Sequence, residues 1–186
     1  TVAALGLSRP HMPFKAILMA ILISPMIVPL IITAAGMFFF YSKIGLTHTY
    51  LGLILAHTAL GTPFVVITVT ATLTGFDTNL IRASQSLGAD TMRTFFKVIM
   101  PLILPGVISG GLFAFITSFD EVVIVMFIGS VEQITIPKQM WAGLRQETSP
   151  VILCMATCLV ALSIALLTTV EMLRRRSERL RGIKQR

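Results

Sequence analysis

The stretch QSLGADTMRTFFKVIMPLILPG, residues 85–106, begins as a polar loop and ends as an apolar helix. Gly88 is a natural helix stop, because glycine adopts the left-handed conformation at little steric cost. Asp90 can cap the next helix, since its carboxylate accepts hydrogen bonds from the unpaired N–H groups of a first turn. The apolar residues that follow recur at helical spacing and form one face: Met92, Phe95, Phe96 and Ile99. The stretch therefore predicts a helix–turn–helix at a membrane surface, with a span beginning at Pro101.

The composition around this stretch is that of an integral membrane protein. Of the 186 residues, 55% are hydrophobic and 12% are charged, and the mean hydropathy is +0.87. Values this high exclude an ordinary soluble domain and predict transmembrane helices. We expect residues 1–186 to form a single transmembrane domain, and the opening Thr1 suggests that the natural chain begins further upstream.

Four apolar runs are long enough to cross a bilayer, which takes about 20 helical residues. They cover residues 16–40, 51–73, 102–128 and 151–173. The predicted fold is an all-α, polytopic membrane helix bundle with four spans and a short cytoplasmic helix outside them.

The distribution of Lys and Arg predicts the orientation of the bundle. With the basic tail, residues 174–186, placed in the cytoplasm, twelve basic residues lie inside and three lie outside. Cytoplasmic loops carry the excess of positive charge, so both ends of this segment and residues 74–100 are expected inside, and residues 129–150 outside. The net charge of +7 then reflects membrane topology and contact with anionic lipid, and indicates no nucleic-acid partner.

The cytoplasmic segment 74–100 is predicted to contain two short helices. Asp77 can cap the first of them. The side chains of Leu80, Ala83, Ser84 and Leu87 fall on one face of that helix. Such a stripe needs a partner, which could be the bundle, the lipid or another protein.

The segment from Ala83 to Ala89, with its glycine at position 88 and the prolines at 101 and 105, resembles the cytoplasmic "EAA" loop of permease subunits of ATP-binding-cassette importers. Three further segments resemble the spermidine/putrescine branch of that family: PFVVITVTATLTGFD (63–77), SFDEVVIVMFI (118–128) and ITIPKQMWAGL (134–144). The resemblance covers essentially the whole chain. Arg82 stands where the family commonly has Glu, and Ser84 replaces the second Ala.

The resemblance implies a function and a set of partners. The loop would dock in a cleft of a cytoplasmic ATPase subunit and transmit its nucleotide-driven closure to the spans. Two ATPase copies, a second related permease subunit and an extracytoplasmic substrate-binding protein are the implied partners, in a bacterial inner membrane, and two N-terminal spans would complete a subunit of six. The coupling residues implied in this way are Arg82, Ala83, Ser84, Leu87, Gly88, Ala89 and Asp90.

Two acids, Asp120 and Glu121, interrupt the third apolar run. A carboxylate near the centre of a bilayer costs about 2.5–3.5 kcal/mol, so it normally faces protein or water. Because adjacent helical residues diverge by about 100°, we expect Asp120 to face a solute path and Glu121 to serve in a structural cap or interhelical bond. Both acids, with Thr117 and Phe119, form the candidate set for the path. A carboxylate on the path would suit a cationic, polyamine-like solute.

The chain carries no sign of bond chemistry of its own. No lysine follows a glycine, so the phosphate-binding G-x-x-x-x-G-K motif is absent from the sequence. No cofactor or metal is therefore expected in this chain, and ATP and Mg²⁺ would bind the partner ATPase. Two alternatives stay open: an importer of this class for another solute such as iron or phosphonate, and an ion-gradient carrier in which Asp120 and Glu121 titrate. The segment 135–146 reads as a short amphipathic helix at the outer interface, or a contact for the binding protein.

Overall fold

The computed structural model describes residues 2–9, 12–146 and 150–180, and over these ranges the chain is helical with no strand. The helices are α1 (Val2–Leu7), α2 (Lys15–Ile27), α3 (Leu30–Ile44), α4 (Tyr50–Thr74), α5 (Asn79–Ser86), α6 (Thr91–Thr94), α7 (Met100–Phe119), α8 (Val123–Ile128), α9 (Ile136–Gln146) and α10 (Pro150–Leu180), with a π-helical turn at Phe95–Ile99 between α6 and α7. Three stretches are long and apolar enough to cross a membrane: Tyr50–Thr74, Thr91–Phe119 and Pro150–Thr169. The all-α membrane bundle predicted from the sequence is confirmed.

The first predicted span, residues 16–40, is broken in the structure. Helices α2 and α3 meet at an angle of 106°, and Val28 between them is extended, with φ −72° and ψ 134°. Pro29 explains the break, because the residue before a proline is pushed away from helical geometry. The apolar run predicted as the first span is therefore a bent pair of helices rather than one straight helix.

The broken pair nevertheless carries the chain from one end of α4 to the other. Ala4 packs with Val69 and Leu73 near the C-terminal end of α4. Ala34 and Tyr41 belong to a second cluster around the N-terminal half of α4, with Leu53, Ala56 and Leu60. Together α2 and α3 travel the length of a span, as the sequence prediction of a first crossing requires.

Helices α4 and α7 form the centre of the bundle. A Cβ atom added at Gly110 would lie 2.8 Å from the Cα of Val65, and one at Gly61 would lie 2.9 Å from the Cβ of Ala114. Gly106 abuts the side chain of Thr72 in the same way. Gly106 and Gly110, small residues four positions apart, thus allow the two helices to approach closely.

The third predicted span, residues 102–128, has different limits in the structure. Its helix starts at Thr91, passes through the π-helical turn and ends at Phe119. The chain then leaves the helix at Asp120 and starts α8 at Val123. The second loop helix is thus the beginning of the span, and the prediction that Asp120 and Glu121 lie inside a helix was wrong.

The last helix is the most peripheral span, and its apolar window is 0% buried. Its predicted limits of 151–173 are exceeded, because α10 continues as helix to Leu180. The predicted basic tail therefore begins as helix, and its last residues, 181–186, lie outside the described residues. Cys154 and Cys158 are free and exposed on this helix.

Candidate functional site

A cavity of about 910 Å³ lies beside α4 and α7 and is bordered at one end by residues 132–137. Most of its wall is apolar. The polar groups on the wall are the side chains of Tyr50, His57, Thr58, Thr62, Ser118, Glu132, Gln133 and Thr135. A largely apolar cavity with a few polar groups is the usual form of a small-molecule site.

A hydrogen bond between His57 and Ser118 joins α4 to α7 at this cavity. The Nδ1 atom of His57 and the Oγ atom of Ser118 lie 2.9 Å apart. His57 is thus a packed, hydrogen-bonded side chain. Its place on the cavity wall was missed, because its partner is 61 positions away and no local pattern links the two.

Two threonines on α4 also face the cavity. The hydroxyl of Thr58 donates to the carbonyl of Ile54 at 2.7 Å, and that of Thr62 donates to the carbonyl of Thr58 at 2.7 Å. Their hydrogens are therefore engaged within the helix. Their oxygens keep lone pairs that can accept a hydrogen bond from a solute.

Aromatic rings form one part of the wall. Phe115 and Phe119 stack with their ring centroids 5.6 Å apart, and Tyr50 is also on the wall. The faces of such rings attract cations. Phe119 is thus the one residue of the predicted path set that the structure brings to the cavity.

The two acids predicted near the path lie elsewhere. Asp120 is exposed, follows the last residue of α7 and is not on the cavity wall. Glu121 is only 6% exposed, and its two carboxylate oxygens accept hydrogen bonds from the N–H groups of Ile124 at 2.8 Å and Val125 at 3.3 Å. Glu121 therefore has the geometry of a helix cap for α8. Thr117 is partly buried and is also not on the cavity wall.

The loop before α9 is held rigid by its own polar groups. The Lys138 ammonium donates to the carbonyls of Ser130 at 2.9 Å and Gln133 at 3.1 Å. The amide oxygen of buried Gln133 accepts from the N–H of Ser130 at 2.9 Å. These bonds fix the edge of the cavity at which Glu132 sits, and no pattern of residue types in the sequence indicates them.

The predicted coupling residues form one connected segment at the other end of the bundle: Arg82, Ala83, Ser84, Leu87, Gly88, Ala89 and Asp90. Gly88 has φ +82°, which confirms the left-handed stop. The Asp90 carboxylate accepts from the N–H of Arg93 at 2.7 Å, and the Asp77 carboxylate accepts from the N–H of Asn79 at 2.9 Å. Both predicted caps are confirmed.

The outer face of this segment is unpartnered in the structure of the chain alone. Leu87 is 88% exposed and Leu80 is 43% exposed. Ser84 is partly buried and contacts α6, where its hydroxyl lies 3.0 Å from that of Thr94. The predicted coupling residues thus include Leu87, which is open to a partner, and Ser84, which is tied to the bundle.

The described ranges hold no cluster of three or more His, Cys, Asp or Glu side chains suited to a metal ion. The cavity and the α5 segment are therefore the two candidate sites.

Residues 1–179 match the family of binding-protein-dependent transport system inner membrane components. The chain belongs to this family. As an inner membrane component with three apolar helices and a bent pair, it is a multi-pass membrane protein of a transport system. Its family is defined by dependence on a binding protein, and its relatives are transport permease proteins.

Three curated relatives of this inner membrane component illustrate the similarity. The spermidine/putrescine transport system permease protein PotC of Haemophilus influenzae is 29% identical over 95% of this chain and 68% of its own length. PotC of Escherichia coli is 27% identical over 94% of this chain and 66% of its own length. The putrescine permease PotI of Escherichia coli is 28% identical over 74% of this chain and 51% of its own. The chain spans about two thirds of the length of the PotC proteins.

The fold also matches a solved transporter. A chain of the MetNI methionine ABC transporter in inward-facing conformations superposes with a TM-score of 0.74 over 94% of this chain and 84% of its own, at 21% identity. At that identity the likeness establishes the fold alone.

Proposed function

We propose that the chain is a transmembrane permease subunit of an ATP-driven importer that moves a small, cationic, polyamine-like solute inward. The observation that carries this proposal is the similarity to PotC permeases over 95% of the chain, which includes both the α5 segment and the cavity wall. The chain itself would do no bond chemistry, and it would pass the solute by alternating access.

The cavity supports a cationic solute. Tyr50, Phe115, Phe119 and Glu132 are among the lining residues, and the part of the chain that the structure describes contributes no Lys or Arg to the wall. A primary ammonium group would find aromatic rings and a carboxylate there. An anionic solute such as a phosphonate would find neither a lysine nor an arginine among these residues, so the cavity favours the polyamine alternative.

The α5 segment supports coupling to a separate ATPase. A capped helix with an open apolar face, carrying Leu80 and Leu87, suits docking in a cleft of another protein. In the proposed assembly two ATPase subunits bind Mg-ATP, a second related permease completes the path, and an extracytoplasmic binding protein delivers the solute. Residues 74–100 and both ends of the segment would then face the cytoplasm of the bacterium, with membrane lipid around α10.

Purification of the chain from its native membrane in mild detergent, followed by mass spectrometry of what accompanies it, tests the class. We expect a subunit with a phosphate-binding ATPase motif and a second permease to co-purify. If no ATPase accompanies the intact, inserted protein in repeated purifications, the gradient-driven carrier is favoured instead.

A panel of solutes then tests the substrate. ATP hydrolysis by the purified assembly with its binding protein should be stimulated by di- and polyamines. Stimulation by an iron complex or a phosphonate alone would replace the polyamine assignment while leaving the importer class in place.

A further inference from the structure

Helix α5 is connected covalently at both ends, to α4 before it and to α6 after it through a turn in which Gly88 has a positive φ of 82°. A hydrogen bond adds a further link, because the hydroxyls of Ser84 and Thr94 lie 3.0 Å apart. Within the described residues it is the one side-chain hydrogen bond that links α5 to the helix Thr91–Phe119. This hydrogen bond opposes a rotation of α5 about the turn at Gly88.

The partner residue sits where a displacement would enter the span. Thr94 ends α6, is only 2% exposed and directly precedes the π-helical turn Phe95–Ile99. That turn leads without interruption into α7, whose far end carries Ser118 and Phe119 at the cavity. π-helical turns inside α-helices are often found at functional sites.

We propose that the Ser84–Thr94 hydrogen bond positions α5 against the start of the span, so that an ATPase which displaces α5 moves the helix Thr91–Phe119 with it. The inference rests on the proposed function. Ser84 and Thr94 act here as positioning residues, since neither is on the cavity wall.

Burial favours a bond that stays closed while α5 moves. The Thr94 hydroxyl is shielded from water, and a conformation that leaves a buried hydroxyl without a hydrogen-bond partner is higher in free energy. Movement of α5 as one piece with Thr94 keeps the bond, whereas rotation about Gly88 alone would break it. The lower-energy motion therefore carries the span along.

The test uses the complete transporter, with its ATPase, second permease and binding protein, in proteoliposomes. The quantity measured is the number of solute molecules imported per ATP hydrolysed. We expect Ser84→Ala and Thr94→Val to lower this ratio by about threefold to tenfold, the factor that corresponds to one hydrogen bond. The double variant should be no worse than either single variant, because all three lack the same bond.

Two further variants separate coupling from general damage. Ser86 lies on the same helix, is exposed and donates to the Arg82 carbonyl at 2.9 Å within α5, so Ser86→Ala should keep the wild-type ratio. Thr94→Ser retains a hydroxyl and should restore most of the ratio lost in Thr94→Val. If the hydrogen bond only stabilised the fold, the variants at Ser84 and Thr94 would show less inserted protein, and the ratio of solute to ATP would stay unchanged.

The outcomes distinguish this inference from the proposed function. Suppose that the wild-type assembly shows ATP-driven uptake while Ser84→Ala and Thr94→Val give the same ratio of solute to ATP as Ser86→Ala. In that case the Ser84–Thr94 hydrogen bond has no coupling role and the importer assignment stands. If the double variant lowers the ratio by the product of the two single effects, Ser84 and Thr94 do not act through one hydrogen bond, and the inference fails. If the wild-type assembly shows no ATP-driven uptake, the proposed function and this inference both fail.

Discussion

Asp120 and Glu121 are neighbours in the sequence but lie in different environments. The Glu121 carboxylate is buried and accepts hydrogen bonds from two N–H groups of α8, whereas Asp120 is exposed. The sequence favoured Asp120 for contact with solute. The geometry gives Asp120 no place on the cavity wall and gives Glu121 a local structural task as the cap of α8.

Replacement of Glu121 is expected to destabilise the protein more than replacement of Asp120. Glu121→Ala removes both acceptors from α8, and loss of a helix-capping side chain costs about 0.5–2 kcal/mol. Asp120→Ala, the matched control, removes an exposed carboxylate and should change the free energy of unfolding by less than about 0.5 kcal/mol. Unfolding of both variants in detergent checks this, and equal stability of the two would contradict the capping role.

The ring of Phe119 is expected to contribute to solute affinity. Phe119→Leu removes a ring face from the cavity wall, and one cation–π contact corresponds to about 0.5–1 kcal/mol, or twofold to fivefold in the KM for a cationic solute. The control is Phe39→Leu on α3, because Phe39 is 68% exposed and off the cavity wall. A KM that rises equally in both variants, or in neither, would remove Phe119 from the path.

At the scale of elements, close contact between α4 and α7 organises the bundle. Small residues allow their backbones to approach, at Gly61 on α4 and at Gly106 and Gly110 on α7. In a membrane such packing drives helix association, because lipid tails are as apolar as the side chains they would replace. The wall shared by the two helices is also the wall of the cavity.

Two adjacent glycines of α7 provide a matched test of this packing. Gly110→Ala would place its Cβ against Thr68 and 2.8 Å from the Cα of Val65, whereas Gly111 has nothing within 4 Å. We expect Gly110→Ala to destabilise the protein by about 1–3 kcal/mol through overpacking. Gly111→Ala should be neutral or slightly stabilising, since alanine favours the helix. Thermal unfolding in detergent measures both, and the reverse order would refute the close approach.

The turn after α5 makes a second element-scale prediction. Gly88 has φ +82° and its N–H donates to the Gln85 carbonyl at 2.9 Å. Gly88→Pro removes the donor and forces a negative φ, so ATP-driven uptake should be abolished while the subunit still inserts. Gly75, which follows α4, is the matched control position, because its φ is −90° and a Cβ atom added there would meet no atom within 4 Å.

The milder pair Gly88→Ala and Gly75→Ala serves as the control for that turn. The left-handed conformation costs alanine about 1–2 kcal/mol, so uptake should fall in Gly88→Ala and stay normal in Gly75→Ala. Normal uptake in a fully inserted Gly88→Pro variant would show that the turn does not need its observed shape.

At the scale of the whole molecule, the α5 segment and the cavity lie at opposite ends of one continuous helix. The helix Thr91–Phe119 begins beside α5 and ends at the cavity. A rigid element of this kind can transmit a displacement from one end to the other. The arrangement requires α5 and the loop before α9 to lie on opposite sides of the membrane.

That topology can be tested with single cysteines. In a background with Cys154→Ser and Cys158→Ser, Leu87→Cys and Val131→Cys place thiols at positions that are 88% and 90% exposed. Because the excess of Lys and Arg lies on the α5 side, an impermeant thiol reagent applied to intact cells should label Val131→Cys alone. Labelling of Leu87→Cys alone would invert the predicted orientation, and the same reagent on permeabilised cells controls for access.

The sequence by itself determined the features that depend on neighbouring residues. Apolar runs of span length located α4 and α10, because hydrophobicity over about 20 residues is itself the signal for membrane insertion. The caps at Asp77 and Asp90 and the stop at Gly88 were predictable, because each acts within four residues of its own position.

Only the tertiary structure decided where the chain bends and which distant side chains meet. Hydropathy is the same for a straight span and for one broken at Asp120, so the separate helix α8 left no trace in the apolar pattern. Pro29 is a local signal for the break between α2 and α3, but the angle of 106° between those helices is set by their packing. His57 meets Ser118 across 61 positions, and Ser84 meets Thr94 across ten. Such contacts arise from the packing of α4, α5 and α7 in space, which no local pattern of residue types specifies.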